Sequence, residues 1–573
     1  RMCGIFACFG KGSCPDTDSC LKSLENRGPE GSKLVTTPHG VLGFTRLAIN
    51  GLNPAGMQPF SQNGITWICN GEIYNATALA KEYGISTKSG SDCEVLGELY
   101  RIHRDSPATF FRCLDGVFAI ILYDSERDLL LWGRDPYGVR PLYAAWNVSG
   151  LDFVDLTACK DFSGLTMKLI MEGGTLGTLC LASEQKAIPN THPYGMQFSP
   201  GCYGSICASS GGNFSMYPYH TSQWLKDPFY SPAHPNGLQN AMEAVRFSLE
   251  EAVKKRMMTE RPCAALLSGG IDSSLIAALV QKNLLALGLP PLKTFSIGMP
   301  GSTDLAYARK VADWIKSDHS EVILTANDFF AAIPEVIRDI ETYDITTVRA
   351  SVGNWLVARA IRETTDCKVV FNGDGSDEVF GSYLYFYKAP NDQAFEDEVD
   401  RLLREIYLYD VLRSDRSISS HGLEPRTPFL DRQFVAAARS VATCWRRPEQ
   451  GKQVEKYILR KAFESTGLLP PEVLWRQKEA FSDGVSSQEK SWFQEIQSRV
   501  EDCIPLVWKA LTLRYDHLMP ITPEAFYYRS LYENNYGSVR AQTTIPAFWM
   551  PRWSPGVTDP SARTLSVYSS SSV

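Results

Sequence analysis

Over its first two hundred residues the chain is a series of short apolar runs cut by polar breaks. GIFACF, GVLGFTRLAI, ITWICNG, VFAIILYD and DLLLWGRD are each bounded by Gly, Asn, Asp or Pro, a pattern that predicts β-strands. Beyond about residue 238 the period changes. AMEAVRFSLEEAVKKRMM, SLIAALVQKNLLAL and LAYARKVADWIKS have helical spacing, and CAALL, KTFSIGM and CKVVFNG are short apolar strands among them. Strands alternating with helices predict a parallel sheet covered on both faces. Helix is expected from there to about residue 540.

Three stretches fit neither period. SGLDFVDLTACKDFSGLTMKLIMEGG, near 150–175, reads as a long surface insertion in the first domain. Residues 209–237 are rich in Gly, Pro, Ser and aromatics and read as a linker. SVYSSSSV closes a polar tail over 561–573. The expected domains are therefore 3–208 and 238–560.

Composition narrows the function classes. Hydrophobic residues make up 44% and charged residues 21% of 573 residues, ordinary globular values. A net charge of −7 argues against nucleic acid as a partner. No apolar run is long enough for a membrane span, and no signal peptide is evident, so a cytoplasmic protein with reduced thiols is expected. The fifteen cysteines lack CxxC and any common zinc spacing, and the eight histidines form no HExxH. No Cys/His metal cage is expected.

Candidate chemistry starts at RMCGIF. Cys3 is either the first residue of a buried strand or, once Met2 is removed, a residue with both a thiol and a free α-amine. That amine, with a pKa of roughly 7.7–8.0, is a base suited to activating the thiol. LLSGGIDSS, between a strand and a helix, offers the backbone of Ser268, Gly269 and Gly270 and a helix N-terminus to an anion. Asp272 adds a carboxylate suited to Mg²⁺ bridged to phosphates, and the P-loop pattern GxxxxGK[ST] is absent. In VVFNGDGSDEVFGSY, Asp374, Asp377 and Glu378 crowd together, which calls for a cation between them. TYDITTVRAS offers Thr346, Thr347 and Arg349, and WRQKEAFSDG offers Lys478, suited to charge developing on phosphate.

The loop SGGIDSS resembles that of ATP pyrophosphatases, which cleave between the α- and β-phosphates. MCGI, RGPE, RLAI, NGEIYN, GRDPYGVRPLY, SGGIDSS, TYDITTVRAS, EKYILR and WRQKEAFSDG together resemble the glutamine-hydrolysing asparagine synthetases over nearly the whole chain. The resemblance implies an α+β N-terminal-nucleophile hydrolase domain, layered αββα, followed by an α/β parallel-sheet ATP pyrophosphatase domain. It implies Cys3 as nucleophile and Asn70 and Gly71 as oxyanion hole. Arg46 would hold the α-carboxylate of L-glutamine, and Glu72 and Asp92 its α-ammonium. Leu266, Ser268, Gly269, Gly270, Asp272, Ser273, Ile297, Asn372 and Gly373 would bind ATP. Asp272 and Asp377 would hold Mg²⁺. Thr346, Arg349, Asp377 and Tyr383 would serve L-aspartate or its adenylate, with Asp374 and Lys478 catalytic. A homodimer is also implied.

The chain departs from the family's usual pattern in reading Asn-Gly-Asp-Gly rather than Ser-Gly-Glu-Gly, and in carrying Arg1 before Met2. A related synthetase with another acceptor acid, and a non-catalytic nucleotide-binding sensor, remain open on the sequence alone.

Overall fold

The computed structural model describes residues 2–12, 16–150, 155–156, 159, 162–210, 214–221, 228–478, 484–486 and 490–561. Among the described residues up to 218, twelve strands form two antiparallel sheets of six. The first has the order β10 (Tyr194–Gln197), β8 (Tyr143–Ser149), β9 (Thr175–Ala182), β1 (Gly4–Gly10), β3 (Gly40–Thr45) and β2 (Ser32–Thr37). The second runs β12 (Ser215–Pro218), β11 (Cys202–Cys207), β7 (Leu129–Arg134), β6 (Gly116–Asp124), β5 (Ile65–Ile73) and β4 (Phe60–Gln62).

The alternation read in GIFACF is the cause of the layering. Ile5, Ala7 and Phe9 point from β1 into a core shared with Ile68, Ala119, Ile121 and Trp132 of the second sheet. Phe6 and Cys8, one residue out of phase, point the other way and pack under Leu21 and Leu24. The outer face of the second sheet is covered by helices through Leu79, Leu99, Phe110 and Phe111. Helix, sheet, sheet and helix stack in that order.

The remainder is built on a fully parallel five-stranded sheet, ordered β15 (Asp318–Ile323), β14 (Lys293–Gly298), β13 (Cys263–Leu266), β16 (Val369–Phe371) and β17 (Glu424–Arg426). Helices Gly237–Lys255 and Ile271–Ala286 cover one face; Ala326–Ile340 and Ile345–Thr364 cover the other. Among the described residues no helix is long and apolar enough to cross a membrane.

Several expectations need correction. The predicted insertion contains the helix Phe162–Met171, which buries Leu165 and Leu169 against Leu156 and Met196, so it is not wholly a surface loop. Residues 151–154, 157, 158, 160 and 161 of that stretch lie outside the described residues. Ser215–Pro218, expected in the linker, pairs with β11 as the sheet's edge strand. In the parallel sheet the sequence pattern does not show two strands: DHSEVI is polar at most positions because it is an exposed sheet edge, and EPR is only three residues with a central proline. All but Ser561 of the expected tail lies outside the described residues.

The two halves meet through buried charge. Arg27 is fully buried; it donates to Glu184 Oε1 at 2.6 Å and to Asp415 Oδ2 at 3.0 Å. Glu341 accepts from the backbone N–H groups of Gln185 and Lys186 at 2.7 and 2.9 Å. Arg426 Nη2 lies 3.7 Å from Glu72 Oε2.

Candidate active sites

Two clefts hold the residues singled out by sequence. In the first, Cys3, Arg46, Asn70, Gly71, Glu72 and Asp92 share one cavity. Cys3 stands one residue before β1. Its Sγ accepts from Leu47 N at 3.3 Å, and Arg27 Nε donates to its carbonyl at 3.1 Å. Cys3 is a half-buried residue of the cavity wall. Burial, with smaller contributions from Glu424 and Glu72, nevertheless pushes the thiol up to about 12. The thiol is therefore held protonated at neutral pH, and attack requires a base to take that proton.

Asn70, Gly71 and Glu72 follow one another on β5, whose pairing with β6 holds them. Asn70 is buried and its Nδ2 has no hydrogen-bond partner. A Cβ at Gly71 would lie 2.1 Å from the Val117 carbonyl oxygen, so only glycine lets the strands close here. Gly71→Ala is therefore expected to force β5 and β6 apart, costing about 1–3 kcal/mol or more. A lowered thermal-unfolding midpoint of the purified variant would show it.

Arg46 Nη2 donates to Gly51 O at 2.6 Å, which leaves the rest of its guanidinium for the cavity. Glu72 accepts from Asn50 at 2.7 Å, and Asp92 accepts from Ile73 N at 2.6 Å. Burial raises both carboxyls. Repulsion from Asp92 and Glu424 lifts Glu72 further, and Asp92 reaches about 6. An ammonium ligand would relieve this repulsion. The cavity also includes Glu424, from the parallel-sheet half, which sequence reasoning missed because nothing in HGLEPRTPFLD shows that β17 faces the first domain.

The second cleft opens at the carboxyl ends of β13, β14 and β16. One wall is apolar, with Leu266, Phe295, Ile297 and Val357. The helix Ile271–Ala286 points its N-terminus at the cleft with no side chain capping it. Gly269 has φ +77°, and a Cβ there would lie 2.4 Å from Tyr307 Cβ; it shapes the turn without lining the cleft. A Cβ on Gly373 would lie 2.7 Å from Ser273 N, which is how closely the loop after β16 approaches the SGGIDSS loop. Asn372 is held by Ser414 at 2.8 Å.

The charged end is organised around a residue the sequence reading did not single out. Lys456, almost fully buried, places Nζ 2.5 Å from Asp272 Oδ2 and 2.6 Å from Asp377 Oδ1. Lys478 Nζ lies 2.5 Å from the other Asp377 oxygen. Burial alone would raise the Asp377 carboxyl, but the two ammonium groups hold it far below the usual range. Ser376 donates to Asp272 at 2.8 Å. Asp374 accepts from Arg413 at 2.9 Å; burial still raises its carboxyl, partly offset by Arg413 and reinforced by Asp410. Asn354, with an unpartnered Nδ2, and Arg476 also line the cleft.

Not every expected residue comes together here. Arg349 is buried outside the cleft, its guanidinium paired to Glu524 at 2.6 Å and Asp559 at 2.7 Å. As placed, it offers the cleft no donor, so its assignment to aspartate or adenylate rests on the resemblance alone. Thr346 does not line the cleft, and its Oγ1 has no partner. Tyr383 donates to Glu378 at 2.6 Å and carries Lys478 over its ring, so it supports the cleft from behind.

Comparison with known proteins gives one answer for both halves. Residues 2–194 match the family profile described as Glutamine amidotransferase domain, and residues 244–404 and 390–505 match Asparagine synthase. The Gallus gallus asparagine synthetase [glutamine-hydrolyzing] is 39% identical over 591 residues, covering 99% of each chain. Its Mus musculus and Homo sapiens counterparts are each 39% identical over 588 residues, again covering 99% of each chain.

Proposed function

The chain belongs to the glutamine-hydrolysing asparagine synthetase family, and from that premise we propose that it makes asparagine from aspartate and ATP with ammonia released from glutamine. Its amidotransferase half has the N-terminal-nucleophile type of fold and its synthetase half the parallel sheet described above. The observation that carries the reading is the presence of two distinct, chemically complementary clefts in one chain. One sets a thiol beside a guanidinium and two carboxylates; the other sets paired aspartates and lysines beside an apolar wall. We take 3–218 and 238–560 as the two domains, the first extended past 208 to include β12.

In the first cleft Arg46 binds the glutamine α-carboxylate, and Glu72 and Asp92 bind its ammonium. Cys3 Sγ attacks the carboxamide carbon while Asn70 Nδ2 and the Gly71 N–H stabilise the oxyanion. Ammonia leaves and a glutamyl thioester remains, which water hydrolyses to glutamate. The thiol, held near 12, needs a base, and the Cys3 α-amine supplies it once residues 1 and 2 are removed. N-terminal sequencing with a glutaminase assay tests this: a chain starting at Cys3 is expected to hydrolyse glutamine, and one retaining Met2 is not.

In the second cleft the adenine lies on Leu266 and Ile297, and the phosphates face the SGGIDSS loop and the helix N-terminus. The aspartate β-carboxylate attacks the α-phosphorus, forming β-aspartyl-AMP and releasing pyrophosphate. Ammonia then attacks the acyl carbon and AMP leaves. Lys478 and Lys456 neutralise charge on the departing pyrophosphate, and Thr346 remains the candidate contact to the aspartate. Asp272 and Asp377 fit Mg²⁺, because their carboxylates already converge on one cation, Lys456 Nζ. The metal would neutralise phosphate charge there. We place the enzyme in the cytoplasm; a homodimer follows only from the family.

The carboxyl groups set a pH dependence. Ammonium binding needs the ionised forms, which for Asp92 prevail above about pH 6. The KM for glutamine is therefore expected to rise as pH falls through about 6, and Asp92→Asn to flatten that rise. Steady-state glutaminase kinetics from pH 5 to 8 would check it.

A further inference from the structure

Away from both clefts, three metal-ligating side chains meet inside the first domain. Cys8 on β1 and Cys180 on β9 are directly opposed partners in the antiparallel ladder, so their side chains share one face. His192, in the loop between β9 and β10, reaches the same point. One ligand atom from each lies within 4.8 Å of the other two, and all three residues are fully buried. Neither cysteine is in a disulfide.

We propose that Cys8, Cys180 and His192 form a structural binding site for a thiophilic divalent cation, zinc being the best match. Three arguments support it. First, zinc takes thiolate at about 2.3 Å and imidazole at about 2.0 Å, so its ligand atoms stand roughly 3.3–3.8 Å apart. Contraction by about 1 Å from the limit seen here closes the set. Second, two thiolates and a neutral imidazole around Zn²⁺ sum to zero charge, which a buried site requires. A monovalent cation would leave a net charge there.

Third, the imidazole already has an outer support. Thr191 Oγ1 lies 3.0 Å from Nδ1, and Thr178 Oγ1 lies 2.8 Å from Nε2. With the Nδ1–H donated to Thr191, Nε2 is the metal-facing nitrogen. The hydrogen bond from the Thr178 hydroxyl to Nε2 is given up when the metal binds. Binding releases two thiol protons, and the metal ties β1, the strand that begins beside Cys3, to β9. The linear spacing of the three residues concealed this arrangement, since register across two strands brings them together.

The test uses the full chain, stripped with a chelator and titrated with Zn²⁺ against a chromophoric competitor, with Co²⁺ as the spectroscopic probe. One tight zinc per chain is expected, with a thiolate-to-cobalt charge-transfer band. Cys180→Ala and His192→Gln should each weaken binding by about 100-fold or more, and Cys20→Ala, in the same core, should not. The wild-type titration stands even where a variant folds poorly. Absence of tight binding to the wild-type chain, or tight binding retained in folded Cys180→Ala and His192→Gln, would overturn the assignment.

Discussion

Cys3→Ala is expected to lose glutamine-dependent asparagine formation by on the order of 10³-fold or more, and to keep synthesis from ammonium within a few-fold. The first half follows from the cavity. Cys3 is the thiol that shares it with Arg46, Glu72 and Asp92, and the described alternatives there, Cys69 and Cys93, are buried in the wall. Removing the nucleophile removes the thioester route, and Asn70 and Gly71 alone have no attacking group to assist. The second half follows from separation. Cys3 contributes no side-chain contact to the aspartate–lysine cleft, and Arg27 holds its backbone carbonyl, which alanine retains. Assays with the two nitrogen donors in parallel read both halves from one preparation. Loss of activity with both donors would show that Cys3 acts on the fold rather than on glutamine.

Asp272→Asn is the mirror image. Asparagine formation should fall with either donor by on the order of 10²–10³-fold, while glutamine hydrolysis persists. Asp272 accepts from Ser376 and Lys456, and Lys456 is otherwise held by Asp377. Asparagine keeps the shape but not the charge. It leaves a buried ammonium with one carboxylate, and removes one of the two groups suited to Mg²⁺. Glutamate release measured without ATP and aspartate separates this from collapse of the chain. Retained synthesis at saturating Mg²⁺ would remove Asp272 from the metal assignment.

Much of this was legible in the chain because chemistry and local structure coincide there. NGE sits on a strand whose glycine admits a close neighbour, and SGGIDSS marks a strand-to-helix turn; both can be read within a dozen residues. Lys456 shows the limit. It caps a helix with φ +58°, and its importance lies in two carboxylates about 80 and 180 positions away. Glu424 and Asn354 were missed for the same reason: each reaches a cleft through packing between elements rather than through a motif. Arg349 shows the converse. Its motif drew attention, but Glu524 and Asp559 claim its guanidinium, and no local pattern predicts partners that far along the chain. Edge strands such as β15 were missed because exposure removes the apolar signal on which strand reading depends.

The most direct test of the central claim is asparagine formed from aspartate, ATP and Mg²⁺, with glutamine or ammonium as donor in parallel and AMP quantified alongside. The account predicts asparagine with both donors and one AMP for each asparagine. Asparagine from neither donor, or ATP cleaved to ADP instead of AMP, would contradict it.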